Sequence, residues 1–200
     1  MTPVMNKTRP RVHFCLYDNA SLNAHEAIYK NSRVGHTNAG GLFGTEIVSD
    51  HDKYADFRAY RTFSVCLSDP EPGNEHAEYD NAANRALVKQ AVESEMSGRY
   101  TQNDSVPDLM AGFRIIIKDK KLTYMNCRDG DNYSTWPECR LETHKYTEGT
   151  LVIYVTDTRK GQVIWQASAT GALADSPGGD EKLIRRTVSA LFDEFPFHPK

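Results

Sequence analysis

The sequence lacks any long apolar run, which argues against a membrane-spanning helix. No stretch approaches the roughly 18 consecutive apolar residues that such a helix needs. Residues 1–14 contain basic side chains but no apolar core, so they do not resemble a secretory signal. The basic excess of duplex nucleic-acid binders is also missing, because the formal net charge is −3. We therefore expect no transmembrane segment and no nucleic-acid partner.

The motifs of common enzyme classes are missing as well. The sequence contains no GxSxG, P-loop or GxGxxG motif. His25 and Glu26 are followed by Tyr29, where a zinc-protease helix needs its second histidine. Asp129 and Asp131 lie in a calcium-like segment, but no glutamate occupies its twelfth position. We therefore predict no catalytic residue and no cofactor, and only Asp129 and Asp131 remain as metal candidates.

Cysteine is scarce, and its spacing argues against a structural zinc site. None of the four cysteines forms a CxxC pair. Cys127 and Cys139 bracket a polar and aromatic segment that a disulfide could close. Such a bond would contribute on the order of 3 kcal/mol in an oxidising compartment. Free thiols are the alternative, and the residues themselves favour neither.

The character of the chain changes near residue 44. Residues 1–43 lack sustained periodicity and have few large apolar side chains to bury, so we predict an N-terminal extension there. Residues 44–200 carry clear strand and helix patterns and are predicted to form a single α+β domain. A domain of this size can bury a substantial core without covalent cross-links.

Alternation of apolar and polar residues predicts strands, and a helical period predicts two helices. The predicted strands span residues 45–49, 61–67, 109–118, 122–125, 151–156 and 163–170, with a polar turn at 119–121. The predicted helices span residues 81–99 and 181–194. Gly98 is expected to end the first helix and Asp180 to cap the second. Gly161 is expected to supply positive φ in the last hairpin.

Short connections between neighbouring strands predict antiparallel pairing. We therefore predict an α+β fold: an antiparallel sheet of four to six strands with two helices packed on one face, in the order β-β-α-β-(β)-β-β-α. The opposite face includes Ile116, Val152, Tyr154 and Ile164. That face is apolar enough that we expect the N-terminal extension or a partner to cover it.

Aromatic side chains are interspersed with polar ones between residues 124 and 146. The candidate binding residues of this segment are Tyr124, Tyr133, Trp136 and Tyr146. Exposed aromatic rings beside polar groups can stack on sugars or anchor a protein partner. The alternative is a long β-hairpin tip whose aromatic rings fold back on the sheet.

Four stretches in order carry a resemblance to a known family. They are residues 55–63 (ADFRAYRTF), 107–111 (PDLMA), 148–153 (EGTLVI) and 163–171 (VIWQASATG). Together they make the segment from about residue 44 to residue 197 resemble domain-of-unknown-function family 4136, bacterial lipoproteins of the cell envelope. The resemblance implies a compact α+β domain, tethered behind a lipidated cysteine, with no established catalytic residues.

The sequence departs from that pattern at its beginning. No signal peptide or lipid-attachment site is recognisable, because Cys15 follows Phe14, whereas lipid processing requires a small residue there. The resemblance implies a periplasmic or outer-membrane-associated location, and a cytoplasmic location is the alternative.

These observations predict a non-catalytic accessory or binding module of the cell envelope that contacts a protein or a glycan. One alternative is a hydrolase or metal-dependent enzyme that uses loop 124–146, which would need a pocket joining Asp129, Asp131 and His144. Another is a structural subunit of an envelope assembly, with an exposed apolar face on its sheet.

Overall fold

The computed structural model describes residues 45–67, 75–128, 138–171 and 180–198, so the predicted N-terminal extension lies outside the described residues. These ranges contain six strands and two helices. They are β1 (Glu46–His51), β2 (Thr62–Val65), α1 (Ala82–Ser97), β3 (Thr101–Gln102), β4 (Leu109–Arg128), β5 (Glu138–Asp157), β6 (Gln162–Thr170) and α2 (Glu181–Phe192). The fold is therefore α+β. Neither helix in these ranges is long and apolar enough to cross a membrane.

Local signals define the ends of the helices and the last hairpin. The Asn81 side chain accepts a hydrogen bond from the backbone N–H of Asn84 and caps α1, and Gly98 follows its last turn. Asp180 Oδ1 accepts from the backbone N–H of Lys182 at 2.9 Å, which confirms the predicted cap of α2. Gly161 has a φ of 62°, as the hairpin between β5 and β6 was predicted to require.

The six strands form one mixed sheet in the order β1-β6-β5-β4-β2-β3. β1, β6, β5 and β4 pair antiparallel with one another, but β2 runs parallel to both β3 and β4. The prediction of a purely antiparallel sheet was therefore wrong. Helix α1 explains the parallel pairing. It returns the chain to the end of the sheet where β2 begins, and β3 and β4 therefore run in the same direction as β2.

β4 is longer than the sequence patterns predicted. The polar turn predicted at residues 119–121 was wrong, because β4 runs unbroken from Leu109 to Arg128. It pairs with β5 along its whole length, and Lys120 forms an ion pair with Glu148 at 2.7 Å on the facing strand. The polar residues 119–121 can remain in the strand because both faces of this part of the ladder are open to solvent.

Most of the buried side chains of the sheet lie on one face, and both helices pack against it. Phe63, Leu109, Ile153 and Trp165 come from four different strands and are almost completely buried. The helices add apolar residues to the same cluster: Val88, Ala91, Val92 and Met96 from α1, and Ile184, Val188, Ala190, Leu191 and Phe192 from α2. Burial of this apolar surface is the main stabilising contribution to the fold.

A β-bulge changes the predicted position of Ile164. Val155 pairs with Trp165, whereas the next residue of β5, Thr156, pairs with Val163, so Ile164 is an extra residue in β6. Ile164 is 1% exposed and belongs to the core cluster. Its predicted place on the opposite face was wrong, because the bulge breaks the alternation of side chains along the strand.

On the opposite face of the sheet, a tyrosine side chain packs over a glycine on the neighbouring strand. Gly112 pairs with Tyr154, and a Cβ atom built on Gly112 would lie 2.4 Å from Cζ of that tyrosine. The tyrosine ring therefore lies across the glycine, a packing that only a residue without a side chain allows. Val152, also on this face, is buried at 7% exposure.

Candidate functional site

The long hairpin of β4 and β5 extends past the rest of the sheet. Both strands have twenty residues, yet β2 pairs only with residues 109–111 of β4, and β6 pairs with β5 only at residues 150–157. Within the described residues, 118–128 and 138–148 are paired only with each other. We call this two-stranded segment the arm. At a rise of about 3.4 Å per residue, it extends about 35 Å from the body of the sheet.

One face of the arm carries an exposed apolar pair next to a disulfide. Met125 and Leu141 lie directly opposite each other and are 63% and 73% exposed. The next pair on this face towards the tip is Cys127 and Cys139, which are disulfide-bonded with their Cα atoms 4.0 Å apart. The disulfide holds the two strands in register and thereby fixes the apolar pair.

The other face of the arm carries Leu122, Tyr124 and Tyr146. They are 54%, 44% and 40% exposed. The phenol of Tyr124 donates a hydrogen bond to Oε2 of Glu142 at 3.1 Å, and this contact raises the pKa of Tyr124. The glutamate thus holds the tyrosine ring in place at the surface. Both tyrosines are available for contact, since neither is folded back on the core.

The structure places two of the four predicted aromatic binding residues on the same face of the arm. Tyr124 and Tyr146 share one face of the arm by the alternation of paired residues. The other candidates, Tyr133 and Trp136, lie outside the described residues, as do the metal candidates Asp129 and Asp131. His144, the third member of the alternative enzyme site, is exposed on the arm. No three His, Cys, Asp or Glu side chains within the described ranges lie close enough to share a metal ion.

Sequence analysis missed the aliphatic residues of the arm. Leu122, Met125 and Leu141 are large and exposed. Leu122 and Met125 begin and end the predicted strand 122–125, but no pattern in the sequence marked them or Leu141 as exposed. The signal that could have found them is the cross-strand register, because it sets Met125 opposite Leu141 beside two cysteines. The register follows from pairing with a distant strand, which no local pattern specifies.

Removing the disulfide is expected to loosen the arm and leave the body unchanged. A two-stranded ribbon without further support is only marginally stable in water, so the cross-link supplies much of its order. In Cys127→Ser/Cys139→Ser, amide hydrogen exchange of residues 122–126 and 140–144 should rise by about tenfold or more. Exchange of residues 150–157, which pair on both sides, should stay unchanged. Equal exchange in the arm of both proteins would show that the disulfide does not stabilise the ribbon.

Comparison with known proteins places the chain in a family. Among solved structures, a PDZ domain protein from Parabacteroides distasonis is similar at 15% identity and a TM-score of 0.49, covering 78% of this chain and 37% of that one. A PelC variant dodecamer from Paraburkholderia phytofirmans is similar at 9% identity and a TM-score of 0.39, covering 74% of this chain and 94% of that one. This chain thus spans only 37% of the length of the first of these structures. No curated protein matches the chain. A family model described as a domain of unknown function (DUF4136) matches residues 47–197, and the chain therefore belongs to that family.

Proposed function

We propose that this chain is a non-catalytic accessory module of the cell envelope that binds a partner protein through its arm. The observation that carries the proposal is the exposure of large apolar side chains on both faces of the arm, with Leu122 at 54%, Met125 at 63% and Leu141 at 73%. Exposed apolar groups clustered in this way are typical of contact surfaces.

The aliphatic residues favour a protein partner over a glycan. Sugar rings are recognised mainly by stacking on flat aromatic faces, which only Tyr124 and Tyr146 offer among the exposed apolar residues of the described arm. Leu122, Met125 and Leu141 gain free energy when apolar surface is removed from water, by about 25 cal/mol per Å². An apolar groove in a protein provides that burial, and a hydrated glycan does not.

The arrangement of these residues also indicates how the partner holds the arm. Leu122 and Tyr124 lie on one face, and Met125 and Leu141 lie on the other. A flat partner surface would bury one face and leave the other in water. A groove or ring that encloses the arm buries both, so we propose that the arm inserts into its partner.

The family and the disulfide support an envelope location. Residues 47–197 match the DUF4136 family. The resemblance noted in the sequence implies that proteins of this family are envelope lipoproteins, which favours the same location for this chain. The Cys127–Cys139 pair lies on the exposed arm, where reductants of a cytoplasm would reach it. Disulfides of this kind persist in oxidising compartments such as the periplasm.

Site-specific photo-crosslinking in the native host tests the proposal. The photoreactive residue p-benzoylphenylalanine replaces Leu122 or Leu141 in the full chain, and Val106, which is 76% exposed on the body, is the matched control position. We expect a protein adduct in the envelope fraction from both arm positions and none from Val106. Because the arm inserts, Met125→Ser/Leu141→Ser should also reduce the adduct at position 122 on the opposite face. An adduct of equal yield from Val106, or one with a glycan in place of a protein, would refute the proposal.

A further inference from the structure

An open cavity of about 310 Å³ lies on the body, at the end of β4 remote from the arm. The residues that matter for its chemistry are Arg58, Arg61, Ser97, Thr101 and Phe197. No acidic residue of the described ranges lines it. A cavity of this volume is at the small end of the range of ligand-binding pockets.

Two of the arginines at this cavity differ from several others in the described residues, because they form no ion pair. Arg85, Arg159 and Arg185 each form an ion pair with a carboxylate: Asp80, Asp108 and Glu181. Arg58 and Arg61 are exposed, and no carboxylate of the described ranges lies within ion-pair distance of either guanidinium. Both residues line the cavity, so two arginines without an ion pair in the described ranges border it.

Arg99, the third arginine at the cavity, has a structural role. Its Nη1 donates to the backbone carbonyl of Glu95 at 2.6 Å and its Nη2 to that of Phe192 at 3.3 Å. It also forms an ion pair with the Glu95 side chain at 3.1 Å. Arg99 thus offsets the negative C-terminal ends of both helices and the nearby carboxylate. Arg58 and Arg61, in contrast, form no ion pair with a carboxylate of the described ranges.

The backbone that carries these two arginines is held in place before any ligand arrives. Oδ1 of Asp56 accepts a hydrogen bond from the backbone N–H of Arg58 at 3.0 Å. Oδ2 of Asp108 accepts from the backbone N–H of Arg61 at 2.9 Å, and this hydrogen bond is the main reason that the pKa of Asp108 is lowered. A fixed backbone reduces the entropy that ligand binding must overcome.

The phenols beside the cavity add no negative charge. Burial, together with a hydrogen bond to Asp157 at 2.8 Å, raises the pKa of Tyr60 to about 12. Burial also raises the pKa of Tyr100, whose hydroxyl donates to the backbone carbonyl of Phe57 at 2.9 Å. Both phenols are therefore protonated at neutral pH, and the cavity retains its positive charge.

We infer that this cavity binds a small phosphomonoester, with Arg58 and Arg61 contacting the phosphate. A guanidinium donates two parallel hydrogen bonds to phosphate oxygens, and two guanidiniums match the double negative charge of a monoester. The hydroxyls of Ser97 and Thr101 offer further donors, and the ring of Phe197 offers an apolar surface for the organic part. This site is separate from the arm and does not depend on the proposed partner.

Isothermal titration of the full chain with glycerol 3-phosphate tests the inference, with glycerol and sodium chloride at equal ionic strength as controls. We expect saturable binding with a Kd on the order of 1 mM for glycerol 3-phosphate and none for glycerol. Arg58→Gln/Arg61→Gln should weaken binding by about tenfold or more. Arg185→Gln/Arg186→Gln removes two charges from exposed positions of α2 and should leave the Kd within about twofold.

The absence of saturable binding by the wild-type chain would overturn the inference, and so would equal weakening in both double variants. Vesicles of phosphatidylcholine with and without phosphatidic acid distinguish the source of the phosphate, because phosphatidic acid carries the same monoester at a membrane surface. Retention that needs phosphatidic acid and is lost in Arg58→Gln/Arg61→Gln indicates a lipid headgroup. Binding of glycerol 3-phosphate without retention on either vesicle indicates a soluble ligand.

Discussion

Replacing Trp165 with alanine is expected to lower the free energy of unfolding by about 4 kcal/mol. Trp165 is 1% exposed, and its ring centroid lies 5.3 Å from that of Phe192 and 4.9 Å from that of Phe195. Its ring therefore connects β6 to helix α2 and to Phe195, which follows that helix. Its removal leaves a large cavity at the point where the helix packs on the sheet.

Phenylalanine at position 165 is the matched control. The Nε1 atom of Trp165 is buried and has no hydrogen-bond partner in the part of the chain that the structure describes. Phenylalanine therefore removes an unsatisfied donor while it keeps most of the aromatic contact. Trp165→Phe is expected to destabilise the chain by less than about 2 kcal/mol. Urea denaturation followed by circular dichroism measures both variants. Equal losses in the two would mean that the second ring of the indole, and not burial as a whole, stabilises this contact.

Asp80→Asn is expected to destabilise the chain by about 3–5 kcal/mol, because it removes the carboxylate from a buried ion pair. Oδ2 of Asp80 accepts a hydrogen bond from Nη2 of Arg85 at 2.8 Å, and Oδ1 accepts from Nε. The two side chains are only 6% and 7% exposed. The guanidinium remains buried in the variant and loses its ion pair with the Asp80 carboxylate.

Two further variants separate this effect from a general loss of charge. Lys89 and Glu93 form a more exposed ion pair on the same helix, with side chains 32% and 24% exposed. Glu93→Gln should therefore change stability by less than about 1 kcal/mol. Asp80→Leu/Arg85→Met removes both buried charges and should be more stable than Asp80→Asn in the same urea titration. If Asp80→Asn and Glu93→Gln were equally mild, burial of the Asp80–Arg85 pair would not govern its contribution.

Local patterns were sufficient to predict the helices and the last hairpin. Asp180 caps α2, and Gly161 turns the chain between β5 and β6, because each position requires one of a few residue types. The limits of α2 were less accurate, since the helix ends at Phe192 and the predicted end was residue 194. Helix caps and tight turns depend on residues close together in the chain, so they can be predicted from the sequence.

Pairing and register required more than local patterns. The sequence does contain a strand, then α1, then further strands, and this order permits the parallel pairing of β2 with β4 that the structure shows. The bulge at Ile164 leaves no trace in the alternation, because each of its neighbours is also apolar. The cavity of Arg58 and Arg61 could not be predicted, since it is completed by Phe197, more than a hundred residues away.

A partner that pulls on the tip of the arm also loads the body, because β4 and β5 pass without interruption from the arm into the sheet. Tension along the arm draws both strands in the same direction, so the antiparallel hydrogen bonds between β5 and β6 resist it. These bonds lie at right angles to the pull and share the force. Peeling β4 and β5 apart from the tip would break the bonds between them one pair at a time, and the disulfide at Cys127 and Cys139 blocks that route. The hairpin is therefore mechanically strong in the direction in which an inserted arm would be pulled.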